Sequence, residues 1–168
     1  LDQDPYFRMT RDIVPRLNNH NKKDIFLKPA ILHGTFLPSL ESIEEKMSAS
    51  KPDSAIFLTD TPAQVKKKVA RSASGGRVDK KEHLRLGADL TVDVPFHFCK
   101  YFLEDDQELE KIRYEYGTGT MMSSQIKHRT CQLIDAILAE HQARRSVVTE
   151  ELVDQFLKIR PLSFSPSK

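Results

Sequence analysis

The feature that most constrains the fold is a long stripe of apolar residues spaced three and four apart in the second half of the chain. This spacing places the residues on one face of a single helix, which Ser123 or Ser124 opens and which we expect to run to about Arg145. A helix of this length buries its stripe against other helices, so the sequence predicts a helical bundle around it. The stripe consists of Ile126, Leu133, Ile134, Ile137, Leu138 and His141.

Shorter helical segments surround the long helix, and no convincing strand follows residue 61. Thr59 or Asp60 is expected to cap the first of them, which has Pro62 in its first turn. The segment from Val92 to Leu103 is apolar nearly all round and is predicted to be the core helix. A last helix is expected after Thr149. The expected helices before the long one are 62–72, 80–86, 92–103 and 107–116.

The first 61 residues follow a different pattern. Asp2, Asp4 and Pro5 predict a helix start, and an imperfect apolar face continues to about Leu17. Short apolar runs at 24–27, 30–33 and 55–60 are typical of buried strands in a parallel sheet. The sequence therefore predicts half of an α/β nucleotide-binding domain at 1–61, followed by an all-α helical bundle at 62–168.

Composition limits the class of protein. A net charge of +2 over 168 residues excludes a chain that is basic overall, so any nucleic-acid surface is expected to be a local patch. Cys99 and Cys131 fit no metal-ligand spacing, and we predict no metal site and a reducing, cytoplasmic location. No apolar run approaches about 18 residues, so we predict no membrane association. Five histidines without ligand or triad spacing are interpreted as core or surface residues: His33, His83, His97, His128 and His141.

Residues 46–50, with the sequence KMSAS, predict a mobile loop. The serines and Ala49 have little surface to bury, so the loop gains little by packing. Lys46 carries a point charge on a flexible stem, which suits phosphate, and Pro52 stiffens the loop exit. From these residues alone the loop is either a phosphate clamp or a solvated turn.

The loop sequence resembles the KMSKS signature of class I aminoacyl-tRNA synthetases, with Ala49 in place of the second lysine. Further blocks are similar, in order, to the eukaryotic tryptophanyl-tRNA synthetase family: 2–12 (DQDPYFRMTRD), 32–36 (LHGTF), 56–60 (IFLTD), 74–77 (SGGR), 102–106 (FLEDD) and 139–145 (AEHQARR). The resemblance implies the second half of a Rossmann-type catalytic domain at 1–61 and a helical anticodon-binding domain at 62–168. The family's HIGH-type signature lies upstream of Leu1, so we expect these 168 residues to be inactive alone.

The resemblance also implies an activity and its residues. The family activates tryptophan with ATP and Mg²⁺ and transfers it to tRNA(Trp), and it forms homodimers. Lys46 and Ser48 are the implied catalytic residues, and Met47, Ser48 and Lys46 are expected to contact ATP. Asp2 is matched to a ribose-facing aspartate in the ATP site. Gln3 is the implied contact for the tryptophan substrate.

Arg77 and Lys127 match the family's anticodon-contacting positions. The family often has aspartate after the arginine, where this chain has Val78 and then Asp79. A run of basic residues precedes the Ser-Gly-Gly-Arg block at 74–77. By its residues alone this run is a solvated helix face, and together with Arg77 and Lys127 it becomes a candidate RNA-facing surface. The run consists of Lys66, Lys67, Lys68 and Arg71. Two alternatives stay open, namely a tyrosine-specific synthetase and a stand-alone RNA-binding or interaction module.

Overall fold

The computed structural model describes residues 3–34 and 36–160 and forms two compact units, Leu1–Phe36 and Leu37–Lys168. Every secondary-structure element assigned within the described ranges is a helix, and none of these helices is long and apolar enough to cross a membrane. The helices are α1 (Asp4–Asn21), α2 (Pro62–Arg71), α3 (Lys80–Leu86), α4 (Val94–Phe102), α5 (Asp106–Gly117), α6 (Ser123–Ser146) and α7 (Glu150–Leu157), with a short 3-10 helix at Pro52–Ser54.

The first unit consists of α1 and the extended segment that follows it. The helix continues past Leu17 through three asparagines and a histidine and ends at Asn21, because the C-cap residue Lys22 has a left-handed φ of 52°. Asn18 then holds the returning chain, because its side-chain amide donates to the Phe26 carbonyl at 3.0 Å and accepts from the Phe26 N–H at 3.0 Å. The Asn18 side chain thus fastens the next segment to the end of α1.

The predicted strands at 24–27, 30–33 and 55–60 are wrong for the described residues. Residues 24–34 run without any strand partner in the described ranges, and Leu27 and Leu32 are 88% and 101% exposed. At 55–60 the chain turns, and the Asp60 N–H bonds the Phe57 carbonyl at 2.9 Å. An apolar run becomes a strand when a neighbour satisfies its N–H and C=O groups, and no described segment does so here. The division at residue 61 stays a prediction.

The second unit is built around α6, which packs against α2 and α4. The helix α4 contributes Phe98 to one apolar cluster and Phe96 and Cys99 to another, so the prediction that this segment is the core helix is confirmed. Tyr101 in the same helix is 37% exposed. The first cluster contains Leu40, Val65, Val69, Val94, Phe98, Ile134 and Leu138, and the second contains Phe96, Cys99, Ile112, Tyr116 and Ile126.

The cap of α2 differs from the predicted one. Thr61 occupies the cap, accepting from the Gln64 N–H at 3.4 Å while the Gln64 side chain accepts from the Thr61 N–H at 2.8 Å. Asp60 is 5% exposed and bonds the Phe57 N–H at 2.9 Å and the Lys68 ammonium at 2.6 Å. Lys68, expected on a solvated face, is therefore a nearly buried partner whose Nζ lies 4.5 Å from the Phe57 ring centroid.

Candidate functional site

The KMSAS loop closes on one buried serine. Ser54 is fully buried, and its Oγ accepts from the Ser48 N–H at 3.1 Å. The same hydroxyl donates to the Lys51 carbonyl at 2.7 Å and lies 3.2 Å from the Ser48 carbonyl. The Lys51 N–H returns to the Ser48 carbonyl at 3.0 Å, so one side chain organises the whole turn. The role of Ser54 was not predicted from the sequence, although a small polar residue closing the Pro52–Ser54 helical turn is the available signal.

The loop entry has a fixed backbone and an exposed cation. Lys46 forms an antiparallel bridge with Pro38, and the neighbouring Ser39 N–H donates to the Glu45 carbonyl at 2.9 Å. The Lys46 side chain is exposed. Further along the loop, the Lys51 Nζ lies 3.8 Å from a Glu45 carboxylate oxygen. The charge of Lys51, which directly follows the loop, is thus partly balanced by a carboxylate.

Met47 anchors the loop to the core, which corrects the expectation that the loop gains little by packing. Its side chain packs against the first apolar cluster and borders a cavity of about 140 Å³. The cavity walls come from the loop, from the segment after it, and from α4 and α6. They include Met47, Ile56, Leu58, Phe98, Ile134 and Leu138. Ser48 is half-buried, and its Oγ lies 2.8 Å from the Ser50 Oγ.

The predicted tryptophan contact lies in the other unit. Gln3 is the N-cap residue of α1, its carbonyl accepts from the N–H groups of Tyr6 and Phe7 at 3.1 and 3.2 Å, and its side chain is exposed. Asp2, predicted to face the ribose, lies outside the described residues. Asp4 pairs with Arg8 at 2.6 Å.

A buried carboxylate holds the turn that carries Arg77. Asp93 is fully buried, and its Oδ2 accepts from the Gly75 N–H at 2.9 Å, from the Ser74 hydroxyl at 3.1 Å and from the Tyr116 hydroxyl at 2.7 Å. Its Oδ1 accepts from the Phe96 N–H at 2.8 Å and caps α4. The role of Asp93 was not predicted from the sequence, although an aspartate two residues before a proline at a helix start is a signal for a capping residue.

Tyr116 completes this network. Its ring is fully buried, and its hydroxyl lies 3.1 Å from both the Ser74 and the Ser123 Oγ atoms. Burial is the largest cause that raises the pKa of Tyr116 to about 12, and the nearby Asp93 carboxylate acts in the same direction. The phenol is therefore a neutral donor that ties α4, α5 and the start of α6 to one turn.

Arg77 directly follows Gly76 in this turn. Its side chain is exposed, while its backbone N–H donates to the Nδ1 of His83 at 3.3 Å. His83 is 2% exposed, and its Nε2 lies 2.8 Å from the Met121 carbonyl, which fixes the tautomer with the proton on Nε2. The structure thus immobilises the Arg77 backbone and leaves the guanidinium accessible.

Lys127, in the first turns of α6, is half-buried against the C-terminal end of α2. Its ammonium donates to the carbonyls of Ala70 at 2.8 Å and Ser72 at 3.0 Å. Burial lowers the pKa of Lys127, while the charges of Asp93 and Cys131 oppose that shift. A cation at a helix C-terminus is stabilised by the helix dipole, and two of the three donors of this ammonium are already used.

Lys127 also borders a groove of about 550 Å³ between α2 and α6. Cys131 and Asp135 line it, and burial raises the pKa of both groups. A thiol with a raised pKa is a poor nucleophile at neutral pH. Within the residues described, no group of three histidine, cysteine or carboxylate side chains could hold a metal ion.

Comparison with known proteins decides the family. The sequence model for tRNA synthetases class I (W and Y) matches residues 1–139, a range that contains the KMSAS loop, the Arg77 turn and Lys127. This chain belongs to that family. The resemblance predicted from the KMSAS loop and its neighbouring blocks is confirmed.

Individual members agree with the family assignment. The chain is 48% identical over 165 residues to the cytoplasmic tryptophan–tRNA ligase of Homo sapiens, covering 98% of this chain and 34% of the relative. The corresponding ligase of Mus musculus is 49% identical over 165 residues, with 98% and 33% covered. The solved tryptophanyl-tRNA synthetase from Giardia lamblia superimposes with a TM-score of 0.85 at 42% identity, covering 94% of this chain and 38% of that one. The class I synthetase fold is thereby supported, and the chain spans about a third of the length of the curated relatives it matches.

Proposed function

We propose that this chain is part of a tryptophan–tRNA ligase, which activates tryptophan with ATP and transfers it to tRNA(Trp). The observation that carries the proposal is the near-complete coverage of the chain by relatives named for that activity. The family includes both W and Y members, so the tyrosine-specific enzyme is the competing assignment. The names of the relatives favour tryptophan.

Activation is the attack of the tryptophan carboxylate on the α-phosphate of ATP, with pyrophosphate as the leaving group. The step needs no protein nucleophile, so the residues that matter are those that position groups and stabilise charge. We assign to Lys46 the stabilisation of negative charge on the leaving pyrophosphate. A cation that engages mainly in the transition state raises kcat without tightening substrate binding. The fixed backbone and exposed side chain of Lys46 support this role.

The other loop residues have distinct capacities for ATP. The Ser48 backbone N–H is already bonded to Ser54, so its hydroxyl is the group we assign to nucleotide contact. The Met47 side chain borders the apolar cavity, which leaves its backbone for the nucleotide. Mg²⁺ associates with phosphate oxygens and needs few protein ligands. The described residues offer no dedicated metal site, so Mg²⁺ would arrive with ATP, and no step here depends on it.

The remaining contacts follow from the same proposal. Asp2 and Gln3 are assigned to the ribose and to tryptophan, and Arg77 and Lys127 to the anticodon. The exposed guanidinium of Arg77 beside a fixed backbone suits the recognition of unstacked bases or phosphates. Lys127 has one donor left for RNA. A cytoplasmic location and a homodimeric assembly belong to this proposal.

The test is amino-acid-dependent ATP–pyrophosphate exchange by the natural protein, isolated as its gene expresses it. Lys46→Ala should lower kcat about a hundredfold, which corresponds to about 3 kcal/mol for one lost charge-stabilising donor. The KM for tryptophan should stay within twofold. Lys51→Ala is the matched control, because this lysine lies near Glu45, and it should change kcat less than threefold.

Each contrary result has its own meaning. Exchange that depends on tyrosine would establish the tyrosine-specific alternative. Binding of tRNA without exchange by the natural protein would favour the RNA-binding module. The isolated 168 residues are a separate case, and we expect them to lack exchange activity.

A further inference from the structure

The block at 139–145 resembles the family, yet none of its residues has a role in the proposed chemistry. Within this block, the Gln142 side-chain amide donates to the carbonyls of Leu58 at 2.9 Å and Asp60 at 3.1 Å. Both acceptors are carbonyls, so the NH₂ end must face them, and both of its hydrogens are used. Gln142 thus joins the C-terminal part of α6 to the segment that leaves the KMSAS loop.

That segment is already rigid where Gln142 holds it. The Asp60 carboxylate bonds the Phe57 N–H and the Lys68 ammonium, and the ammonium lies over the Phe57 ring. Ala55 is 5% exposed, and the Ser54 carbonyl accepts from the Leu40 N–H at 2.9 Å. Restraint therefore extends from the 57–60 turn back to Ser54, the residue on which the loop closes.

A second contact between the loop and α6 is apolar. Met47 borders the same cavity as Ile134 and Leu138 of α6 and Leu58 of the exit segment. The cavity leaves space beside Met47, so this contact alone does not hold the loop in one place. The directional restraint comes from the two hydrogen bonds of Gln142 at the exit.

We infer that Gln142 is a positioning residue that holds the KMSAS loop, through its exit segment, against α6. The inference rests on the proposed function, because the purpose of a positioned loop is to place Lys46 at the leaving phosphate. It also has a structural consequence for tRNA. Gln142 and Lys127 lie about four turns apart on one continuous helix, or about 22 Å at 1.5 Å per residue, so α6 connects the loop with the assigned anticodon surface.

The test is Gln142→Met in the natural protein, since methionine has a similar length and helix propensity but no donor. Gln107→Met is the matched control, because Gln107 is exposed in the first turn of α5. We expect amide hydrogen exchange at Ser48, Lys51 and Ser54 to become about tenfold faster in Gln142→Met and to stay unchanged in the control. In tryptophan-dependent ATP–pyrophosphate exchange, kcat of Gln142→Met should fall about tenfold, while its KM for tryptophan should stay within twofold of the wild-type value.

The outcomes separate this inference from the proposed function. Faster amide hydrogen exchange at Ser48, Lys51 and Ser54, with unchanged amide hydrogen exchange in α4 and α5, supports the positioning role. This readout does not require the protein to be active. Unchanged loop exchange, or equal acceleration in α4 and α5, overturns it. Gln142→Asn is the second variant, to be used if Gln142→Met fails to fold. It retains the amide but is one methylene shorter, so it should loosen the loop in the same way. Absence of tryptophan-dependent exchange in the wild type would refute the proposed function alone.

Discussion

Replacement of Asp93 by alanine should destabilise the protein far more than the loss of an ordinary helix cap. Asp93 and Asp105 both cap helices with their carboxylates, at α4 and α5 respectively. Asp93 is fully buried and bonds three further donors, whereas Asp105 is exposed and bonds two backbone N–H groups of its own helix. The pair isolates the effect of the buried network from that of capping.

The expected magnitude follows from the bonds that are lost. Loss of a cap costs about 1 kcal/mol in either variant. In Asp93→Ala the hydroxyls of Ser74 and Tyr116 can still bond each other across 3.1 Å. The Gly75 N–H loses its acceptor, which adds about 2 kcal/mol, and the loss of a charge-assisted bond from Tyr116 adds about 1 kcal/mol more. Asp93→Ala should thus cost about 4 kcal/mol and Asp105→Ala about 1 kcal/mol.

Urea unfolding at pH 7 measures both costs, provided that the slope m is unchanged. A difference of about 3 kcal/mol in the free energy of unfolding is the expected result. Asp93→Asn tests the same network with little change in volume, and it should fall between the two because an amide cannot accept at the NH₂ end. Equal costs for Asp93→Ala and Asp105→Ala would refute the idea that the buried carboxylate organises the turn.

Three further predictions concern charge and pH. The pKa of Tyr116 rises to about 12 in the folded protein, so the contribution of this residue to stability is complete below pH 10 and declines as pH rises toward 12. In urea titrations, the difference in unfolding free energy between wild type and Tyr116→Phe should therefore shrink between pH 10 and pH 12. Arg129 lowers the pKa of Glu108 through bonds of 2.5 and 2.8 Å, so the stability lost in Glu108→Gln should be present above the ordinary value of 4.5 and absent in strong acid, and a constant difference across that range would contradict this. Arg77→Ala should weaken tRNA binding about tenfold, measured by anisotropy, without changing the Tm. Lys127→Met should weaken it too and should also lower stability by about 1 kcal/mol in thermal unfolding, because the carbonyls of Ala70 and Ser72 lose their donor.

Local signals in the sequence located the helices well. The expected helix at 80–86 is observed with the same bounds and ends at Gly87, whose φ of 70° favours glycine. The long helix, expected from Ser123 to about Arg145, runs to Ser146. Caps, helix periodicity and glycine stops are encoded within a few residues, which explains why these elements can be predicted without tertiary information.

Features that depend on distant residues were beyond the sequence. The apolar runs at 24–33 predicted strands, but a strand is defined by its neighbours, and the described residues supply none. Likewise, the sequence does not show that Asp93 contacts Ser74 or that Lys127 bonds Ser72, since those pairs are formed by packing. The candidate site could be located through its family motif, whereas its supporting residues required the structure.

The glycines of the Arg77 turn define where this surface is able to diversify. A Cβ on Gly75 would lie 1.8 Å from the Asp89 carbonyl oxygen, and one on Gly76 would lie 1.9 Å from the Ser123 Oγ. Two residues later the side chain of Val78 is 107% exposed. A side chain at position 75 would therefore meet fixed backbone, one at position 76 would displace the Ser123 hydroxyl, and one at position 78 is open to solvent. On the proposal that Arg77 contacts the anticodon, an exchange of the side chain at position 78 would alter the RNA-facing surface beside it while leaving the scaffold intact.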